Sequence, residues 1–198
     1  YVYYQRLGLA AGEIKYLATL APLIGLLTQP LWGALADLLH ARRAVIMVCL
    51  AGNALACLAY LQTREFVPLL GVVALCALFQ GGVLPLVNSC AIAAGGQETG
   101  FGTRRLWGTL SFVIAATLAG VLTIPLGLPV IFPLAAFGLA AAMLAAGRLP
   151  DLTARRPPAR VRFLAGLRLL WRDRACRWFV LALTVLGITI EGNFVTYG

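Results

Sequence analysis

PLWGALADLLHARR, residues Pro30 to Arg43, is the stretch from which the fold can be read. Positions 16–36 carry no charge. At about 1.5 Å of rise per residue such a run crosses the ~30 Å hydrocarbon layer of a bilayer as a helix. Asp37 ends the run, Leu38 to Ala41 intervene, and Arg42 and Arg43 stand just before the next apolar run opens at Ala44. An acid closing one helix and bases opening the next can bond across so short a turn, so the stretch reads as a hairpin between two spans. Gly33, one turn before Asp37, is expected to let a neighbouring backbone approach closely.

Composition agrees with the hairpin. With 61% hydrophobic and 12% charged residues and a mean hydropathy of +0.90, the chain is an all-α polytopic membrane protein, not a soluble domain. Its net charge of +9 comes from arginines clustered between apolar runs. No helix or strand with a polar face is left to enter a groove, which excludes nucleic-acid binding. The five cysteines (Cys49, Cys57, Cys76, Cys90, Cys176) are scattered, and their spacing predicts neither a metal site nor a disulfide frame.

Taken in order, the chain opens with no leader-like segment. Tyr1, Tyr3 and Tyr4 are aromatics of the kind that mark the end of a span, so residues 1–14 are expected to be a helix end, a loop and a new start, with the preceding span missing. About six transmembrane helices follow. The first runs from about Lys15 to Asp37, the second from Ala44 to Leu61, and the third from Phe66 to Ala94, interrupted at Gly81, Gly82 and Pro85. The fourth covers Leu106 to Ile124, and the fifth follows Pro125 and Pro129 to Gly147. Residues 148–177 form a basic connector, and a sixth span runs from Trp178 to Gly198. In the connector, Phe163, Leu164, Leu167, Leu170 and Trp171 recur at helical spacing among arginines, which suits a helix lying in an anionic headgroup layer. Disorder is expected for TARRPPAR before it.

Orientation follows from the bases. Thirteen of the sixteen lie in loops 37–43, 95–105 and 148–177, and only Arg6, Lys15 and Arg64 lie in the alternate ones. The first set of loops is expected to be cytoplasmic, in what would be a bacterial inner membrane.

Gly33, Asp37 and Arg42 resemble the loop signature of the major facilitator superfamily: a glycine, an aspartate four residues on, then bases, between that family's second and third helices. Leu38 and His40 depart from it, since the family has a base and a glycine there. GFGTRRLWGTLSFVIA, Gly100 to Ala115, resembles the start of the fifth helix in the branch that groups lactose-permease-like and nucleoside–proton symporter-like proteins, through Arg105, Leu106, Trp107, Gly108 and Thr109. The resemblance implies helices two to seven of a twelve-helix bundle. Residues 1–147 would form the N-terminal bundle without most of its first helix, and residues 178–198 would begin a C-terminal half that is otherwise missing. It implies that helices two, four, five and seven border a central cavity, and that three and six lie outside.

That placement sorts the polar residues. Asn53, and Gly138 with Ala140 to Ala142, are expected to serve helix packing, with one interhelical hydrogen bond from Asn53. Gln29 and Gln80 fall ~12 to 20 Å from the hairpin-side ends of cavity helices, the depth at which carriers bind solutes. Asn88, beside the expected break, is a third candidate. Glu191, with Asn193 nearby, lies ~20 Å into the last span with no base inside any span, so it is the candidate proton carrier. The expected activity is secondary transport of a small polar solute (sugar, nucleoside or aromatic acid), coupled to protons, with no cofactor and no metal. Drug efflux is the alternative within the class. An intramembrane enzyme would need a nucleophile–base set, yet the sole histidine, His40, lies in the hairpin, and Ser89 and Ser111 have no base in view. A membrane scaffold without transport activity is the remaining alternative.

A cysteine introduced at Ala154 in a full-length, cysteine-free carrier is expected to react only from the cytoplasmic side. Labelling by an impermeant maleimide in intact cells would invert the topology.

Overall fold

A computed structural model describes residues 2–95, 101–148 and 178. Contacts divide the chain into two units, Tyr1–Arg155 and Arg156–Gly198, and every described residue except Trp178 belongs to the first. The described residues are helical throughout, without strands. The helices are α1 (Val2–Arg6), α2 (Ala11–Leu38), α3 (Arg42–Ala59), α4 (Phe66–Gly95), α5 (Phe101–Leu126) and α6 (Ile131–Ala146), with a 3-10 turn, Leu128–Val130, leading into α6. Five of them, α2 to α6, contain segments long and apolar enough to cross a membrane.

The ends differ from the hydropathy limits for a simple reason. Helical hydrogen bonding continues past the last apolar residue, so α2 begins a turn before Lys15 and α5 a turn before Leu106. At the start of α2, Ala10 has no side chain to cap with, and Glu13 instead reaches back to accept from the Ala10 N–H at 2.8 Å. Gly127, at φ 80°, ends α5 in a conformation that a side chain disfavours.

The expected interruption of the third span is absent: α4 runs unbroken from Phe66 to Gly95 with Pro85 inside it. Proline removes one N–H and strains the preceding turn, yet within a bundle the neighbouring helices tolerate it, as α2 tolerates Pro22 and Pro30. Gly81 and Gly82 do not break the helix. They bring it against its neighbours. A Cβ on Gly81 would collide with the Thr28 hydroxyl of α2, and one on Gly82 would lie 2.7 Å from Trp32 Cγ and 2.8 Å from Cys49 Sγ. Gly52 of α3 answers from the other side, where a Cβ would sit 2.6 Å from the Phe79 ring. Gly33, expected to be the close-approach position, has no described atom within 4 Å of where its Cβ would be. Gly138 is equally open, and Ala140 to Ala142 are exposed, so these four residues do not pack on the described helices. That helix meets α3 instead through Leu139, Met143 and Ala146.

Register follows from these contacts. Leu17 meets Leu69 and Val73 at one end, Thr28 meets Gly81, and Ala36 shares a cluster with Leu86 at the other, so α2 and α4 run in the same direction. Cys49 opposite Gly82 and Gly52 opposite Phe79 make α3 antiparallel to α4. Tyr60 stacks on Phe132 at one end while Ile46 joins Ala146 at the other, making α6 antiparallel to α3. The helices therefore pack in the order α2, α4, α3, α6, and no residue in the apolar window of α5 is buried among the described helices. The indole of Trp32 adds a directional tie by donating to the Leu78 carbonyl at 2.6 Å.

Gly82→Val is expected to cost about 1–3 kcal/mol through overpacking against Trp32 and Cys49, while Gly33→Ala is near neutral. Thermal unfolding of the detergent-purified full-length protein checks this. Equal effects at the two positions would reject the assignment of the contact to Gly82.

Candidate functional site

At the hairpin the expected ion pair is present. Arg42 donates from Nη2 at 2.7 Å and from Nε at 3.2 Å to the same Asp37 oxygen. Each residue is placed unfavourably on its own helix, the acid in the last turn of α2 and the base at the first position of α3. Each offsets the other. The side chains remain 46% and 29% exposed, which limits the pair to about 0.2–1 kcal/mol. Arg43 lies near the end of α6, where a Cβ on Gly147 would be 4.0 Å from its guanidinium.

The departure at His40 has a structural cost. Its φ is 51°, a left-handed value, and the Ala41 N–H reaches back to the Ala36 carbonyl at 3.4 Å. This is the closing bond of a helix C-cap whose left-handed residue is ordinarily glycine, and histidine occupies that position here. The His40 ring partly compensates, with Nδ1 3.1 Å from the Leu38 carbonyl.

The polar residues inside the spans separate into two groups. Gln29 on α2 and Asn88 on α4 are exposed, and no described residue covers them. Both lie within the membrane-crossing segments. Gln80 also lies outside the core, but it lines a hollow of about 540 Å³ together with Asn53. Asn53 is only 7% exposed, and its amide forms no hydrogen bond among the described residues. The interhelical bond expected of it is therefore not made. Its amide opens into the hollow.

Aromatic residues form the rim of the hollow at the end of the bundle away from the hairpin. Tyr3 donates to the Tyr60 carbonyl at 3.2 Å, and the Tyr4 and Tyr60 hydroxyls lie 3.3 Å apart. Phe132 stacks on Tyr60 at 4.6 Å and 12° and meets Tyr3 edge-on at 4.7 Å. Asn53 and Leu139 each lie two helical turns below this rim, ~10 Å deeper. Tyr3 and Tyr4, read from sequence as span-end aromatics, thus also knit α1 to α3 and α6. Sequence spacing could not have shown this, because the contacts join residues far apart in the chain.

The fifth-helix motif has little described packing. Trp107 is 66% exposed, and Gly108 has nothing within 4 Å of where a Cβ would stand. The side chain of Arg105, the connector beyond Arg148, Glu191 and Asn193 lie outside the described residues.

Stacked apolar helices joined by a charged hairpin define a polytopic integral membrane protein. The model of the MFS_1 like family matches residues 1–197, and the chain belongs to that family of the major facilitator superfamily. It is 28% identical over 191 residues to a maltose permease from Geobacillus stearothermophilus, an alignment covering 96% of this chain and 48% of that one. An uncharacterized transporter, YwbF, from Bacillus subtilis (strain 168) is 30% identical over 117 residues, covering 58% of this chain and 29% of the other. The chain thus spans about half the length of the curated relatives it matches. No solved structure gives a significant match. Family and relatives point to a transporter and away from an enzyme.

His40→Gly is expected to raise stability by about 1 kcal/mol by relieving the left-handed strain, and Asp37→Asn to lower it by less than about 1 kcal/mol. Thermal scans of the full-length protein resolve both signs. A loss of stability in His40→Gly would mean that the ring contact to Leu38 outweighs the strain.

Proposed function

We propose that the chain supplies most of the first half of a secondary carrier that moves a small polar solute by alternating access, driven by protons. The observation that carries this reading is the set of amides within α2 and α4, Gln29, Gln80 and Asn88, that the described core leaves uncovered. An unpartnered amide facing hydrocarbon costs several kcal/mol. Such groups belong beside water, a partner helix or a solute, which is the environment of a central transport cavity.

A sugar is the favoured solute class. Amides and hydroxyls suit the donors and acceptors of a polyol, and one relative is named a maltose permease. Asp37 and Arg42 then act as a conformational clasp at one end of the carrier. Two helix ends tied by a surface ion pair can separate at a cost of about 1 kcal/mol, small enough for a transport cycle to open and close them. The distribution of bases supports a cytoplasmic hairpin, and the bacterial relatives support a bacterial inner membrane. Glu191 is the proton carrier in this reading. By sequence it is the one acid deep in an apolar run, where a permanent charge is costly, and a group that alternates between neutral and charged states couples solute to protons.

The test is uptake of radiolabelled maltose and a panel of other sugars by the full-length carrier in proteoliposomes under an imposed pH gradient. Glu191→Gln, which mimics the protonated acid, is expected to abolish accumulation while preserving solute exchange. Gln80→Ala is expected to weaken uptake at least tenfold. Wild-type accumulation in the Glu191→Gln carrier would remove the proton role, and no sugar transport by the wild type would remove the solute class.

A further inference from the structure

The same helix register that positions the hollow brings together two cysteines with no sequence motif in common. Cys49 faces Gly82 and Gly52 faces Phe79 across the antiparallel α3–α4 contact. Continued away from the hairpin, that register brings Cys57 of α3 and Cys76 of α4 to within about 3 Å of each other along the helix axes. The two thiols open from these packed helices into the same space. Both are free and partly exposed, and both line the hollow beneath Tyr4 and Tyr60.

We propose that Cys57 and Cys76 form a dithiol site for a soft divalent metal ion that takes two thiolates in line, with mercuric ion as the representative. Three features of the site select this class. Sulfur donors favour soft ions over the oxygen-seeking ones. Among the described residues no group of three His, Cys, Asp or Glu could hold a metal, so a tetrahedral ion such as zinc lacks the ligands it requires. Two thiolates on a divalent ion also give a neutral complex. Neutrality matters in a hollow walled by Tyr60, Phe132 and Leu139, because net charge in such surroundings is costly.

The step balances without an oxidant. Each sulfur forms one bond to the metal and releases its proton, so one ion binds and two protons leave, together with the water or chloride ligands that the ion carried. Because the helices already hold the sulfurs as neighbours, the second bond forms within the molecule at high effective concentration. The chelate is then 10²-fold or more tighter than a single thiol, by the usual range for linked sites (~10²–10⁴). The bound ion bridges α3 and α4 and resists any motion that separates them.

The experiment uses the full-length carrier in detergent with every cysteine except Cys57 and Cys76 replaced by alanine. Mercuric chloride is added, and retained metal is measured against rising glutathione. One mercury per chain is expected, released only at about 100-fold more glutathione than strips Cys57→Ser or Cys76→Ser. Both thiols should become unreactive to maleimide together, and a dithiol should restore them. Serine is close in size to cysteine, and monodisperse elution of each variant verifies folding. Two mercury ions per chain, or equal retention by either single-cysteine variant, would overturn the site.

Discussion

At Gly81 and Gly82, α4 presents bare backbone, and α2 and α3 close on it from two sides through Thr28, Trp32 and Cys49. In a bilayer the hydrophobic effect does not draw helices together, since lipid is as apolar as leucine. Association rests on close van der Waals contact and on hydrogen bonds between helices. The two glycines provide the first, and the Trp32 indole on the Leu78 carbonyl provides the second. Once α4 is seated, the remaining order follows: α3 lies antiparallel on it, α6 antiparallel on α3, and the short α1 closes over their ends through the Tyr3–Tyr60–Phe132 cluster.

Charge is confined by the same solvent. Away from their ends the described spans carry no charged side chain, and the ion pair stands at a helix boundary where water screens it. Asp37 and Arg42 are each misplaced against the dipole of their own helix, so they stabilise the hairpin mainly by compensating each other. His40 takes the left-handed turn that lets the chain reverse from α2 into α3. Glycine would fill such a position without strain, and here the histidine ring recovers part of the cost by bonding to the Leu38 carbonyl.

Membership of the MFS_1 like family joins these observations to transport. A carrier needs helices rigid enough to move as a block, ends that can unclasp, and polar groups spared from the packing. The described bundle has a tight α2–α4–α3 contact, a surface ion pair worth little, and uncovered amides on α2 and α4. Those three properties pull against one another, since each amide left uncovered is one the core does not use.

The sequence by itself determined five of the spans and nearly their limits, the hairpin and the Asp37–Arg42 pairing. These depend on hydrophobic run length and on neighbours a few residues apart, both visible in one dimension. It did not single out Gly81 and Gly82 as the positions where the described helices approach closely. Gly33 and Gly81 look alike in a string of apolar residues, and only the neighbouring helices decide which one another side chain must fit against. It likewise read Gly81–Pro85 as a break, because local propensity disfavours that run, whereas packing on both faces keeps α4 whole. The pairing of Asn53 with Gln80 around one hollow, and of Cys57 with Cys76 beside it, was decided by the tertiary structure alone. Helix register brings together residues whose spacing along the chain carries no periodic signal.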